Sequence, residues 1–183
     1  MKLTLFVATA LAATVAVAAD KSTQVTFTKA DSALGRVKCE ESYNKGAVCW
    51  RGQVTIEGKL IVEFDRASVG KGVSDSKGRA FFEPSPDSAK KLPAAMDYYP
   101  APVSVVWLHT RPRDILVPLV EAKKTNAIIS GASPRYELPV TLTLSMFVAD
   151  IDCDHRSYGL KYSAIRPLLS EVAVLNQAKH LGC

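Results

Sequence analysis

Apolar and polar residues alternate through 53–65, QVTIEGKLIVEFD, and this limits what the chain can fold into more than any other feature. Val54, Ile56, Leu60, Val62 and Phe64 share one parity with Gly58. Thr55, Glu57, Lys59, Glu63 and Asp65 take the other, with Ile61 the one apolar exception. A period of two means an extended strand with one face turned inward. A hairpin turning at Glu57-Gly58 would set residue 56 opposite 59 and 54 opposite 61, carrying Leu60, Val62 and Phe64 to the wrong face. The pattern therefore predicts one long strand with a glycine at a tight bend, as barrel corners require.

A second long strand is predicted over 137–153, ELPVTLTLSMFVADIDC, with Val140, Leu142, Leu144, Met146 and Val148 alternating against Thr141, Thr143 and Ser145. The apolar parity then moves to Ile151 and Cys153, a one-residue shift that places a β-bulge near 147–150. A DHRSYG loop leads to a further strand at 159–165. The stretches 78–83 and 102–110 supply more strands, and 23–29 an N-terminal one. Residues 66–78 read as an exposed Gly/Ser/Lys-rich loop, and 84–101, with four prolines, as an irregular crossing. In 113–124 the internal Pro118 restricts the choice to a short helix from about Val117 or an edge strand. At the C-terminus Ser170 can cap a helix with an inner stripe of Val172, Leu175 and Ala178, closed by Gly182.

Residues 1–19, MKLTLFVATALAATVAVAA, have the basic start, apolar centre and small-residue end of a secretory signal peptide. What remains, 20–183, is expected to be a single secreted β-rich domain, in the periplasm or outside the cell, with no membrane span. Loss of Lys2 lowers the formal charge from +5 to +4. A composition 48% hydrophobic and 22% charged is that of an ordinary globular chain. The cations are scattered (Lys90-Lys91, Arg111, Arg113, Lys123-Lys124), not gathered into the dense stripe that nucleic acid demands, so nucleic acid is not an expected partner. Four cysteines in an exported chain form a disulfide-ready set, and without C-x-x-C spacing a zinc or redox site is disfavoured. The local pairing is Cys39 with Cys49; Cys153 would then join Cys183 and fasten the C-terminal helix, a constraint of about 3 kcal/mol.

The order of a long bent strand, two strands, a short connecting element, a long bulged strand and a final strand resembles the OB-fold, a small five-stranded Greek-key barrel. The fold class is thus mainly β (α+β), an OB-like barrel with a disulfide-tied C-terminal helix. VTIEGKLIVEF at 54–64 and VTLTLSMFVAD at 140–150 are similar to the bacterial periplasmic OB-fold proteins, although Leu144 or Ser145 stands where that family usually has a glycine. Asp152-Cys153 and the terminal Cys183 also resemble the surface-adhesin E family. Neither family brings catalytic residues.

Asp150, Asp152, Asp154 and His155 form the densest polar cluster. On a strand the three carboxylates would lie about 7 Å apart on one face, where they either hold a hard cation or face water beside Arg156. His155 and Lys161 stand where an EF-hand loop needs Gly and Glu, which favours the solvated reading. Ser133 lacks a nucleophile elbow. His109 reads as a half-buried structural histidine, and His180 suits a helix C-terminus. Glu57 and Glu63, about 20 Å apart on one strand, are too distant for paired acid–base work. No cofactor is implied.

Tyr98, Tyr99 and Tyr136, with Arg111, Arg113 and Arg135 among the nearby cations, are the candidate recognition residues, since Tyr and Arg favour interface hot spots. Trp107 could join them, but its alternative place, filling the core, is the reading preferred. The expected role is non-catalytic binding of a protein or cell-envelope ligand, of the kind inhibitors and immunity proteins perform. The alternatives are a surface adhesin or a metal-assisted hydrolase centred on Asp150 and His155.

Overall fold

A 17-residue strand organises the molecule, and a barrel closes around it. The computed structural model describes residues 25–44, 46–64, 78–96, 101–120, 125, 135–152 and 155–169; of Asp152 and His155 only the backbone is described. The elements are β1 (Leu34–Val37), β2 (Val48–Phe64), β3 (Gly78–Pro84), α1 (Pro86–Ala89), β4 (Val106–Leu108), α2 (Pro112–Leu116), β5 (Arg135–Asp152) and β6 (His155–Pro167). The sheet order is β1-β2-β3-β4-β6-β5, and β5 returns to pair with β2. Five strands, β2 to β6, therefore form a closed, mainly β barrel, with β1 added outside the ring. All pairings are antiparallel except that of β4 with β6.

One edge of β2 pairs with β5 from Val48 to Glu63, while its other edge passes from β1 to β3. The change of partner is complete at Gly58, the first residue paired with β3. A Cβ there would stand 2.2 Å from the Glu83 carbonyl oxygen and 2.9 Å from Pro84 Cα, so only glycine admits β3 so closely. The single bent strand expected over 53–65 is thus present, and the hairpin is not. Val54, Ile56, Leu60, Val62 and Phe64 line the core as their parity requires. Ile61 is buried outside the barrel wall between Phe81 and Glu137.

The second long strand corrects the position of the bulge. Register against β6 breaks between Thr143 and Leu144 and again between Leu144 and Met146, so the irregularity falls at 143–146, with Ser145 outside the ladder, rather than near 147–150. Beyond it Phe147 and Ala149 enter the main core, where Phe147 meets Trp50 and stacks on Tyr158 with centroids 5.7 Å apart. Met146 and Val148 turn outward instead. They stay buried because Cys49, Val37, Tyr43 and Ala47 form a second small cluster over them. Residues 39–44 and 46–47 lie across the wall as a strap, held by the Cys39–Cys49 disulfide, the Lys161–Glu40 ion pair at 3.0 Å and a hydrogen bond from Asn44 Nδ2 to Asp150.

Other expectations shift. Of the 23–29 strand, the described residues 25–29 hold an isolated bridge, Phe27 to Ala95, and the first strand is Leu34–Val37. Only Val106–Leu108 of 102–110 is strand. The crossing segment holds α1, capped by Ser85, whose hydroxyl accepts from Ser88 N–H at 3.3 Å. Among the described residues of 113–124 neither a helix from Val117 nor an edge strand is found: α2 is Pro112–Leu116, with Pro112 in its first turn, and it ends before Pro118, the arrangement two prolines impose. DHRSYG is not a loop throughout, since β6 begins at His155. The disulfide found ties the strap to β2 and not a C-terminal helix; that helix, Cys153, Cys183 and residues 1–19 lie outside the described residues.

Phe147→Ala should cost about 3–5 kcal/mol in urea unfolding, with Ser145→Ala near neutral. A loss below about 1 kcal/mol at Phe147 would return the bulge to the position that simple alternation implies.

Candidate functional site

The outer faces of β3 and β4 carry the most exposed large aromatic surface among the described residues. In β3 the outward positions are Arg79, Phe81 and Glu83, because Ala80, Phe82 and Pro84 face the core. In β4, Val106 and Leu108 are buried, so the parity of the strand turns Trp107 outward, 38% exposed. The assignment of Trp107 to the core is therefore corrected: strand register overrides its bulk. Pairing of Phe81 with Trp107 brings their rings to 4.4 Å between centroids, tilted by 59°. The Arg79 guanidinium lies 5.7 Å from the Phe81 centroid and 5.8 Å from that of Trp107. Val105, two residues before Trp107, is 40% exposed.

Arg79 also ends a ladder of ion pairs across the outside of β3, β2 and β5. Glu83 meets Lys59 at 3.4 Å, and Lys59 meets Glu137 at 3.1 Å. Arg135 bridges Glu137 at 2.9 Å and Glu63 at 2.8 Å, and Glu63 meets Arg79 at 3.5 Å. Hydrogen bonding from Arg135, then from Lys59, holds the Glu137 carboxyl below its ordinary range. Hydrogen bonding to Glu137 raises both Lys59 and Arg135. Glu63, considered for acid–base work with Glu57, is instead a charge partner of two arginines. The ladder fixes Arg79 from one side while the rings fix it from the other.

Beside Trp107 a cleft of about 270 Å³ opens between residues 101–105 and the start of β6, lined by Pro102, Ser104, Val105, Arg156, Ser157 and Tyr158. Among the described residues no carboxylate lines it.

The residues singled out from sequence scatter. Tyr136 is buried, 4% exposed, with its ring against Phe64 at 6.0 Å, so it belongs to the core and not to a recognition face. Burial raises its hydroxyl pKa. Arg111 and Arg113 are exposed at α2, where Arg111 pairs with Asp114 at 2.9 Å. Tyr98, Tyr99, Ser133, His180, Asp154, Cys153 and Cys183 lie outside the described residues. Asp150 accepts from Asn44, and among the described residues no group of three His, Cys, Asp or Glu side chains is placed to hold a metal. His109 is exposed rather than half-buried, with Tyr43 6.5 Å from its ring.

Sequence reasoning missed the Arg79–Phe81–Trp107 group because it is made by register. The one signal was the shared parity of Phe81 with the charged Arg79 and Glu83, which marks Phe81 as the outward member of the Phe81-Phe82 pair. No protein-family model matches the sequence, and comparisons with curated proteins and with solved structures find no match.

The ladder has a pH signature. A carboxyl whose folded pKa is lowered contributes stability above its unfolded value, near 4.3, and loses it as pH falls through the folded value. Glu137→Gln should therefore be less stable than the parent by about 0.5–1 kcal/mol at pH 7. In urea unfolding that difference should shrink towards zero below about pH 4; a difference independent of pH would mean that Glu137 contributes by packing alone.

Proposed function

We propose that this chain is a non-catalytic binding protein of an oxidising, extracytoplasmic compartment, and that it recognises a protein partner through the outer face of β3 and β4. The observation that carries the reading is the Phe81–Trp107 pair with Arg79 across its edge. Trp107 keeps 38% of its surface exposed, and Trp and Arg are among the residues that dominate interface energies. The charges around the rings are engaged in a ladder, which suits a rigid docking face better than a reacting centre.

The barrel supports this as an OB-like Greek key. Its third and fifth strands (β4 and β6) run parallel, its fourth (β5) returns to its first (β2), and α2 falls between the third and fourth. In the OB-fold the face of the second and third strands is a common recognition surface, and here those strands are β3 and β4. The Cys39–Cys49 disulfide and the signal-like residues 1–19 favour export.

The test is capture from envelope extract and culture supernatant with the oxidised chain, beside Trp107→Ala and Arg79→Ala. One partner should bind the parent stoichiometrically and lose about tenfold or more in affinity with each variant, while their melting temperatures stay close to the parent's. A partner that binds both variants as tightly as the parent would rule this face out.

A further inference from the structure

The strap is tied to more than the wall it covers. Glu40 reaches Lys161 of β6 at 3.0 Å, and the Lys161 ammonium lies 6.0 Å from the Tyr43 ring centroid. The Tyr43 ring in turn meets that of His109 edge to face, with centroids 6.5 Å apart. His109 directly follows β4, and its ring lies against Gly159 of β6: a Cβ there would stand 2.8 Å from His109 Nε2. Gly159 is the residue that pairs with Trp107. β4 and β6 share one further pair, Leu108 with Leu160, in the shortest ladder of the barrel, so a contact that braces it has more effect there than elsewhere. Tyr43 and His109 thus connect the strap to the strand pair that holds Trp107. Tyr43 itself sits inside the loop that the Cys39–Cys49 disulfide closes, a sequence separation of 10. Cys49 is fully buried against Met146 and Val148, whereas Cys39 is partly exposed and lines an open cleft of about 360 Å³ with Glu40, Tyr43 and Asn44. The Cys39 sulfur is therefore the one that a thiol can reach.

We infer that the Cys39–Cys49 disulfide is a redox lock on the docking face. Closed, it holds Tyr43 against His109 and so braces the Trp107–Gly159 pair; reduced, it frees the strap and loosens that end of β4. The inference rests on the binding reading above and states how the same face is regulated. The reductant is a dithiol. Its thiolate attacks Cys39 Sγ, the disulfide bond breaks, and Cys49 leaves as a thiolate that takes up a proton. The second thiol of the reductant then loses its proton and displaces Cys39 from the mixed disulfide, and Cys39 is protonated in turn. The chain gains two electrons and two protons, and the dithiol becomes a disulfide. Among the described residues the strap then keeps the Lys161–Glu40 pair, the Asn44–Asp150 hydrogen bond and the packing of Tyr43 and Ala47, and the entropy of an open loop works against all of them.

Hydrogen exchange of the full chain, read by mass spectrometry, tests this. The oxidised parent is compared with Cys39→Ser/Cys49→Ser, which opens this pair and leaves Cys153 and Cys183 unchanged, and with Tyr43→Ala, which keeps the disulfide and removes the ring. Amides in 106–110 and 156–161 should exchange about tenfold or more faster in the double variant, and about threefold or more faster in Tyr43→Ala. Those of 54–62 and 138–144, in the β2–β5 ladder, should keep the parent's rates. If the double variant fails to fold, the parent reduced with dithiothreitol takes its place, with opening of the pair confirmed by alkylation of Cys39 and Cys49. Faster exchange confined to 39–49, a uniform rise through the barrel, or parental rates in Tyr43→Ala would overturn the lock. The readout needs no partner, so that outcome leaves the docking face standing. The expected exchange pattern beside a failed capture would instead support the brace and count against the docking face alone.

Discussion

Closure of the barrel rests on the backbone approach at Gly58. β2 serves three neighbours, β5 on one edge and β1 then β3 on the other. It can hand its second edge from β1 to β3 only where no side chain stands in the way, and a Cβ at 58 would collide with the Glu83 carbonyl. Everything downstream follows from that exchange. β3 placed against 58–64 puts Phe81 beside Ile61, β4 placed against β3 puts Trp107 beside Phe81, and the outer face acquires a row of apolar side chains. The same register sets Lys59 opposite Glu83, and Glu63 opposite Arg79 and Arg135, so the ion ladder and the aromatic pair are products of one alignment.

Two kinds of surface thus lie side by side on the outside of one sheet. Exposed ion pairs contribute little individually, but a ladder that holds each long side chain from both sides lowers the entropy left to lose when a partner arrives. Arg79 is the junction. It pairs with Glu63 on the charged side and lies over both rings on the other.

Much of this was legible in the residues, and the exceptions have physical causes. Unbroken alternation identified β2 because one of its faces is buried and the other meets water. It misplaced the bulge of β5 because parity reports burial rather than direction: Met146 and Val148 are buried beneath the strap, on the opposite side of the wall from Phe147 and Ala149. The Cys39–Cys49 link was visible from its short turn-rich loop. Trp107 was misassigned because 102–110 is apolar on both parities, which leaves volume as the only guide, and volume favours the core. Tyr136 failed for the reverse reason, since a tyrosine between two charged residues looks exposed while β5 register turns it inward against Phe64. The candidate site was illegible as a site because Phe81 and Trp107 come from separate strands.

The distribution of pairing around the ring gives the wall two characters. Along β2 and β5 it is doubly covered, with the main core inside, the strap and second cluster outside, and a disulfide that limits how far the strap can open. Along β4 and β6 it is thin, with a two-residue parallel ladder and no second layer among the described residues. Local opening is cheapest where few hydrogen bonds and few buried contacts must be given up. Reinforcement on the far wall therefore leaves the β4–β6 seam as the place where the barrel can adjust without losing its core. Trp107 stands at that seam, so the exposed aromatic of the outer face borders the part of the ring with the fewest strand pairs.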